Sequence, residues 1–186
     1  MKISAIIPAR AGSKRLKKKN IYPIWRQPMI FWAIKACQES KYDIDVWVSS
    51  ESDEVLEISK SFGVNIHRRD TKLADDITYK QVVVRNTAKF IEDNVGKSDI
   101  YLSLQANSPT ITSDQIDLGI DTLLKYEKDE IISVDDNLMQ NAAFRVFRGD
   151  YVFQEDLSTN CGVVIAPAMD IHTLDDIKLM KENKNG

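Results

Sequence analysis

Ile3-Ser4-Ala5-Ile6-Ile7-Pro8-Ala9-Arg10-Ala11-Gly12-Ser13-Lys14-Arg15-Leu16-Lys17-Lys18-Lys19-Asn20 carries an apolar run straight into a loop with one glycine, one serine and six basic residues. Residues 3–7 have the composition of a buried strand. Gly12 and Ser13 let the backbone turn tightly and present N–H groups to an anion. Arg10, Lys14 and Lys19 can neutralise phosphate oxygens, arginine through its planar fork and lysine as a point charge. The combination suits a triphosphate. No Gly-Lys-Ser/Thr closes the loop, so it is not the Walker pattern. The second and third glycines of the dinucleotide fingerprint are also missing. A solvated basic turn would carry the same charges, and Arg15, Lys17 and Lys18 suit that exposed role.

Downstream, strand and helix patterns alternate. Residues 28–38 read as a helix with Pro28 in its first turn, and residues 44–49 as a second strand. Ser52-Asp53 begins a helix to about Phe62, with Gly63 as its stop. A short strand at 64–67 precedes a long helix from Thr78 to about Asn94. Residues 99–104 form the next strand, and Thr112-Ser113-Asp114-Gln115 caps a helix to about Tyr126. Strands follow near 130–134, 143–147 and 161–166, and Thr173 opens a last helix from Leu174 to about Glu182. This order predicts an α/β fold with a mainly parallel central sheet and helices on both faces. Ligands in such sheets bind beyond the carboxyl ends of the strands. Attention therefore falls on the loops at 8–20, 49–53, 67–78 and 105–111.

A chain of 186 residues fits one domain spanning 1–186, and its 43% apolar and 28% charged content is that of an ordinary globular protein. The two cysteines, Cys37 and Cys161, lie far apart and have no metal-site spacing. With no signal-peptide pattern and no apolar run of membrane-spanning length, the expectation is a cytoplasmic protein without a membrane partner. A net charge of −3 gives no general attraction to nucleic acid. The bases form one loop without an aromatic-interleaved face, which argues against a nucleic-acid module.

The segment from Pro8 to Asn20 resembles the nucleotide-binding motif of the acylneuraminate cytidylyltransferases, the CMP-sialic acid synthetases and their relatives for legionaminic and pseudaminic acids. The resemblance runs well from residue 3 to about 125 and patchily beyond. It implies a Rossmann-like nucleotidyltransferase fold of the nucleotide-diphospho-sugar transferase type. It implies phosphate contacts from Arg10 and Lys19, with Lys14 in second rank, in a nucleotide site built from Ala9, Arg10, Ala11, Gly12, Ser13, Lys14, Lys19 and Asn20. Arg69, Leu73, Ala74 and Asp76 match the family's segment over the cytosine, where Arg69 and groups near Thr78 would select the base. Asp75 or Asp76 could equally cap the following helix. Gln105, Ser108 and Pro109 match the family's sugar-acid segment, whereas Ala106, Asn107 and Thr110 differ from it and Ile111 replaces its arginine. Val48-Ser49-Ser50-Glu51 resembles a pocket-shaping turn.

Asp170-Ile171-His172-Thr173 resembles the family's Asp-Ile-Asp-Thr, whose aspartates hold magnesium. Asp170 matches and His172 stands where the second aspartate sits, so Mg²⁺ is the implied cofactor, held by Asp170. Imidazole is a poor ligand for this hard ion, and His172 could act instead as a base or hydrogen-bond donor. Thr173 and Asp176 also read as an N-cap and its partner. Asn160 matches an asparagine of the family's sugar-binding region. The chain is short around 135–165, where family members carry dimerisation and sugar-binding elements. Arg145 and Arg148 are either partial substitutes or exposed strand residues. His67 reads as structural.

The expected activity is transfer of CMP from CTP to a nonulosonic, sialic-acid-like sugar acid with release of pyrophosphate, for surface glycan synthesis. Arg10, Lys19 and Asp170 are the expected catalytic residues, and a homodimer is the family's usual state. Two other readings stand beside it: the same chemistry on a Kdo-like or other acid, and a degenerate member that binds nucleotide without turnover.

Overall fold

The N-terminal apolar run becomes a central strand because residues apolar on both faces can be covered only from both sides. The computed structural model describes residues 1–183. In chain order it contains β1 (Ile3–Pro8), a small hairpin of β2 (Pro23–Ile24) and β3 (Gln27–Pro28), α1 (Met29–Gln38), β4 (Ile44–Ser50), α2 (Asp53–Lys60), β5 (Asn65–Arg68), α3 (Lys80–Asn94), β6 (Ile100–Leu104), α4 (Ser113–Lys125), β7 (Glu130–Val134), β8 (Gln140–Arg148), β9 (Cys161–Ile165) and α5 (Leu174–Asn183). The main sheet has the order β5-β4-β1-β6-β8-β7-β9. β5, β4, β1 and β6 run parallel, as do β7 and β9, while β8 is antiparallel to β6 and β7.

Alternation along β1 divides the core. Ile3, Ala5 and Ile7 pack with Val46, Val48 and Leu102 beneath residues of α1, α2 and α4. Ile6 points the other way and packs with Trp47, Tyr101 and Phe147 beneath Val84, Ala88 and Ile91 of α3. Each fully buried aliphatic side chain contributes about 1.5–3 kcal/mol. A third cluster lies beyond the sheet. Leu16 of the basic loop meets Ile24 and Met29, together with Ile171, Ile177 and Met180 from the C-terminal segment. An apolar residue inside the basic run thus ties that loop to α5.

Helix starts follow local hydrogen bonding. The Ser52 side chain accepts from Val55 N–H at the start of α2. Thr112 and Gln115 form a reciprocal capping box on α4. Asp176 Oδ2 accepts from Thr173 N–H at 2.8 Å, while Thr173 Oγ1 accepts from Asp176 N–H at 3.2 Å. The long helix expected from Thr78 begins instead at Lys80. Asp75 Oδ1 takes the N–H groups of Ile77 and Thr78 at 3.0 and 2.5 Å and holds both residues in a turn. The expectation that Asp75 or Asp76 caps that helix is corrected, since Tyr79 is its N-cap. The β2–β3 hairpin was not legible. Its turn uses Trp25 and Arg26 at φ 47° and 70°, without the glycine or asparagine that signals such turns. Between β7 and β8 the chain makes only a tight turn, in which Asp135 Oδ1 accepts from Asn137 and Met139 N–H.

His67, at the end of the sheet's outer strand, is buried and stacked on Phe90 with ring centroids 4.3 Å apart. Its Nδ1 lies 3.1 Å from Thr87 Oγ1 and 3.3 Å from Ser49 Oγ. Burial, and then the Arg69 charge, hold the imidazole below its ordinary pKa. The unfolded chain therefore binds the proton more readily than the folded one. Stability is expected to be full above about pH 6.5, the ordinary histidine value, and to fall as pH drops below it. Urea midpoints at pH 7.5 and 5.5 measure this, and His67→Gln should flatten the difference. An equal pH response in the variant would move the effect to other groups.

Candidate active site

The carboxyl ends of β1, β5 and β6 open on one cavity of about 300 Å³. The basic loop forms one wall, through Arg10, Gly12, Ser13, Lys19 and Asn20. The segment at 69–78 forms a second, with Arg69, Leu73 and Thr78. The β6 loop forms a third, with Gln105, Ala106 and Asn107, and the start of α3 adds Lys80 and Val83. Most of the expected nucleotide residues are thus brought together. Asn20 is buried and its Nδ2 donates to Arg10 O at 2.8 Å, closing the loop on itself.

Glu51, at the end of β4, is the bridge beneath this loop. Its Oε1 accepts from Ala11 N–H at 2.7 Å, and its Oε2 accepts from Arg69 Nη2 at 2.8 Å. Arg69 Nη1 donates to Ser49 O at 2.8 Å, and Ala9 N–H donates to the same carbonyl at 2.9 Å. The Arg69 side chain is 2% exposed and that of Glu51 13%. Burial lowers the pKa of the guanidinium, and Glu51 opposes that shift. Arg69 Nε is buried and has no hydrogen-bond partner. Two expectations are corrected here. Ala9 is fully buried with its N–H spent on β4, and Ala11 N–H is spent on Glu51, so direct backbone donation to a ligand falls to Gly12 and Ser13.

The acidic stretch after Leu73 folds over the loop. Arg10 Nη1 reaches Asp75 O at 2.8 Å and Asp76 Oδ1 at 2.7 Å, and Lys14 Nζ reaches Asp76 Oδ2 at 2.5 Å. Lys14, and then Arg10, hold the Asp76 carboxyl below its ordinary pKa. Lys18, expected to face solvent, pairs with Glu54 at 2.6 Å.

Asp170 arrives from the far end of the chain by docking onto the β6 loop. Ile171 N–H donates to Asn107 O at 2.8 Å, and Asn107 Nδ2 returns a bond to Ile171 O at 3.2 Å. Met169 N–H donates to Thr110 Oγ1 at 2.8 Å. The hydroxyl of Ser108 donates to Asp170 Oδ1, so fully buried Ser108 orients that carboxylate rather than lining the cavity. Burial, followed by Arg15, lowers the pKa of Lys19, against which Asp170 acts. Lys80 is pushed down by burial to about 8, with Asp170 opposing and Arg145 adding to the shift. Asp170 is therefore electrostatically coupled to two cavity lysines.

His172 is turned elsewhere. Its Nδ1 lies 3.2 Å from Arg15 Nη2, a donor, so Nδ1 is the accepting nitrogen of a neutral ring. Burial, then Lys19 and Arg15, keep its pKa below the ordinary value. The contact with Arg15 commits one of the two ring nitrogens. Among the described residues no group of three or more histidine, cysteine or acidic side chains has metal-holding geometry.

Asn160 is also corrected. It precedes β9 at the sheet end opposite the cavity, where Lys128 Nζ donates to its Oδ1 at 3.0 Å and its Nδ2 donates to Glu127 O at 2.9 Å. Arg145 pairs with Glu130 at 2.5 Å, and Arg148 donates to Lys128 O at 3.1 Å, so neither is a free surface cation. Sequence reasoning missed Lys80. The available signal was a cation in a helix's first turn, where the helix dipole disfavours it.

Removing Glu51 strands a buried guanidinium and releases the Ala11 N–H. Glu51→Ala is expected to destabilise the fold by about 3 kcal/mol and to weaken triphosphate binding. Chemical denaturation and calorimetry read the two effects, and a loss below about 1 kcal/mol would assign the pair no more than the value of an exposed bridge.

Comparison with known proteins follows the same geometry. The family model described as Cytidylyltransferase matches residues 4–161. The chain is 28% identical over 132 residues to an N-acylneuraminate cytidylyltransferase A of Danio rerio, covering 71% of this chain and 30% of that protein. It is 32% identical over 115 residues to a pseudaminic acid cytidylyltransferase of Campylobacter jejuni, covering 61% and 50%. The chain thus spans half or less of the length of these relatives. A solved CMP:2-keto-3-deoxy-manno-octonic acid synthetase complexed with CTP superposes with TM-score 0.77 at 15% identity, covering 99% of this chain and all of that one, which is a likeness of fold. The match over most of its length shows that this chain belongs to the cytidylyltransferase family.

Proposed function

We propose that this protein transfers CMP from CTP to a hydroxyl of a nonulosonic sugar acid and releases pyrophosphate. The observation that carries the reading is the single cavity in which Arg10, Lys19, Gly12 and Ser13 face Arg69 and Thr78 on one side and Gln105 on the other. The relatives' names supply the substrate class. In the reaction the acceptor oxygen forms a bond to the α-phosphorus, the bond from that phosphorus to the β-phosphate oxygen breaks, and the hydroxyl proton passes to solvent.

Each wall has a task. Arg10 and Lys19 neutralise the phosphates and the charge that grows on the departing pyrophosphate, which is where fixed charge lowers the barrier most. Gly12 and Ser13 offer N–H donors to the same oxygens. Arg69, with Nε unspent, and Thr78 border the space for the base. Gln105 offers an amide to the acceptor's hydroxyls. Holding both substrates in one cavity makes the attack effectively intramolecular.

Magnesium fits this donor set through Asp170. Mg²⁺ is held by one or two carboxylates with substrate phosphates and waters, and the Ser108 bond leaves an Asp170 oxygen for it. When bound, the ion would neutralise phosphate charge and acidify a coordinated hydroxyl. A second reading, the same transfer to a Kdo-like acid, draws on the fold likeness to the octonic acid synthetase.

Pyrophosphate release from CTP, with Mg²⁺ and a panel of N-acetylneuraminic, legionaminic, pseudaminic and Kdo acceptors, tests both readings. Turnover with one of the first three is the expected result, and turnover with Kdo alone favours the second. Lys19→Ala and Asp170→Ala should each lower turnover by about 100-fold or more with circular dichroism unchanged. CTP binding without turnover on any acceptor would overturn the proposal.

A further inference from the structure

A second cavity, of about 490 Å³, is larger than the one already described and shares a boundary with it. The β6 loop is that boundary. Its residues 105–107 line the first cavity and residues 109–113 the second. Ser108, between the two runs, is the residue that donates to Asp170. The C-terminal segment repeats the arrangement, since Met169 lines the second cavity and Asp170 follows it directly.

The walls of this cavity are aromatic and thioether-rich. Trp25 and Trp32 meet edge to face, with ring centroids 5.0 Å apart and planes at 88°. Trp32 Nε1 donates to Ile24 O at 3.1 Å, so the polar atom of that ring is spent within the fold. Met169, Met180 and Ile111 add apolar surface. Indole rings and thioethers both pack favourably on an aromatic ring. The charged side chains of the lining are Lys35 and Glu39, one helical turn apart on α1 and 3.5 Å from each other. Their charges cancel, which leaves the rim no net charge with which to select an ion. Trp25 is held in this wall at φ 47°, and Arg26 follows at φ 70°. Two successive side chains of this size in the left-handed region are unfavourable, and such conformations cluster where ligands are clamped. The volume is that of a small-molecule pocket.

We propose that this cavity is a second ligand site, which takes a small uncharged aromatic molecule and, when filled, stiffens the segment that carries Asp170. The coupling runs through hydrogen bonds. Met169 N–H donates to Thr110 Oγ1 at 2.8 Å, and both residues line the cavity. A ligand packed against the two resists the opening of that bond and of the neighbouring bond from Ile171 N–H to Asn107 O.

The probe is N-phenyl-1-naphthylamine, an uncharged aromatic dye whose fluorescence rises when it leaves water. Titration into the wild-type chain should saturate at one site with a Kd of about 10–100 μM. Ala36→Phe places a ring inside the cavity and should abolish binding. Ser113→Trp, at the rim, carries the same expectation if the phenylalanine variant fails to fold. Trp25→Leu keeps an apolar wall without the ring and should raise the Kd about 10-fold. Saturating dye should slow amide hydrogen exchange at Met169 and Ile171 by about threefold or more. Absence of saturable binding overturns the proposal, as does binding that survives a filling variant. An unchanged Kd in Trp25→Leu overturns the aromatic class, and unmoved exchange at both amides overturns the coupling. A dimer in sedimentation that Ser113→Trp dissociates would assign the cavity to a second copy of this chain and overturn the proposal too. These readouts need no turnover, so they stand or fall separately from the transfer reaction.

Discussion

A buried ion pair between Glu51 and Arg69 holds the cavity in shape. Two charges removed from water are costly unless nearly every donor and acceptor is engaged. Here Glu51 accepts from Arg69 and from the Ala11 backbone, while Arg69 also donates to Ser49 O. The result joins the basic loop after β1 to the ends of β4 and β5. An aspartate at 51, the residue the family resemblance suggests, has one methylene less with which to span both partners. The pair's position has a further consequence. Arg69 Nε stays buried without a partner, so the strut that supports the loop also carries an unmet donor.

The second feature is that part of the loop's charge is already met by the chain. Asp76 takes both Arg10 and Lys14, and the Asp75 carbonyl takes Arg10 again. These groups are substantially exposed, with side-chain accessibilities of 39% for Arg10, 84% for Lys14 and 45% for Asp76. Exposed pairs of this kind contribute about 0–1 kcal/mol. An incoming triphosphate would therefore exchange a weak internal anion for a multiply charged one at small cost. Meanwhile Asp75, Asp76 and Thr78 line the cavity.

Much of this was legible because the signals were local. The apolar run into a glycine-containing basic loop marked β1 and a wall of the cavity. Ser52, Thr112 and Thr173 marked helix starts that the structure contains. The bounds moved where a side chain competed with backbone bonding, as Asp75 does at Ile77 and Thr78. What was illegible was tertiary. Asn160 carries a matching residue type but stands at the wrong end of its strand, and periodicity does not report which end of a sheet binds ligand. His172 aligns with a metal-ligand position, but its ring is engaged by Arg15, far away in sequence. Glu51 was read as shaping the pocket, but its two specific partners depend on where Ala11 and Arg69 meet in space.

Asp170 shows how a departure from a family pattern can carry structural weight. The carboxylate lies in a segment with little regular structure, so its position depends on docking. Asn107 departs from the family's segment, and it is the residue that makes the two-way bond with Ile171, through its carbonyl and its amide. Thr110, a second departure, receives Met169 N–H. Ser108, which matches, then orients the carboxylate itself. Ile171 meanwhile buries against Leu16 of the basic loop in the third apolar cluster. The same few residues therefore fix Asp170 to the β6 loop on one side and to the basic loop on the other. A rigid link of this kind is needed if a carboxylate from the last part of the chain is to act with Lys19 from the first. Ala106, a further departure, is small and buried.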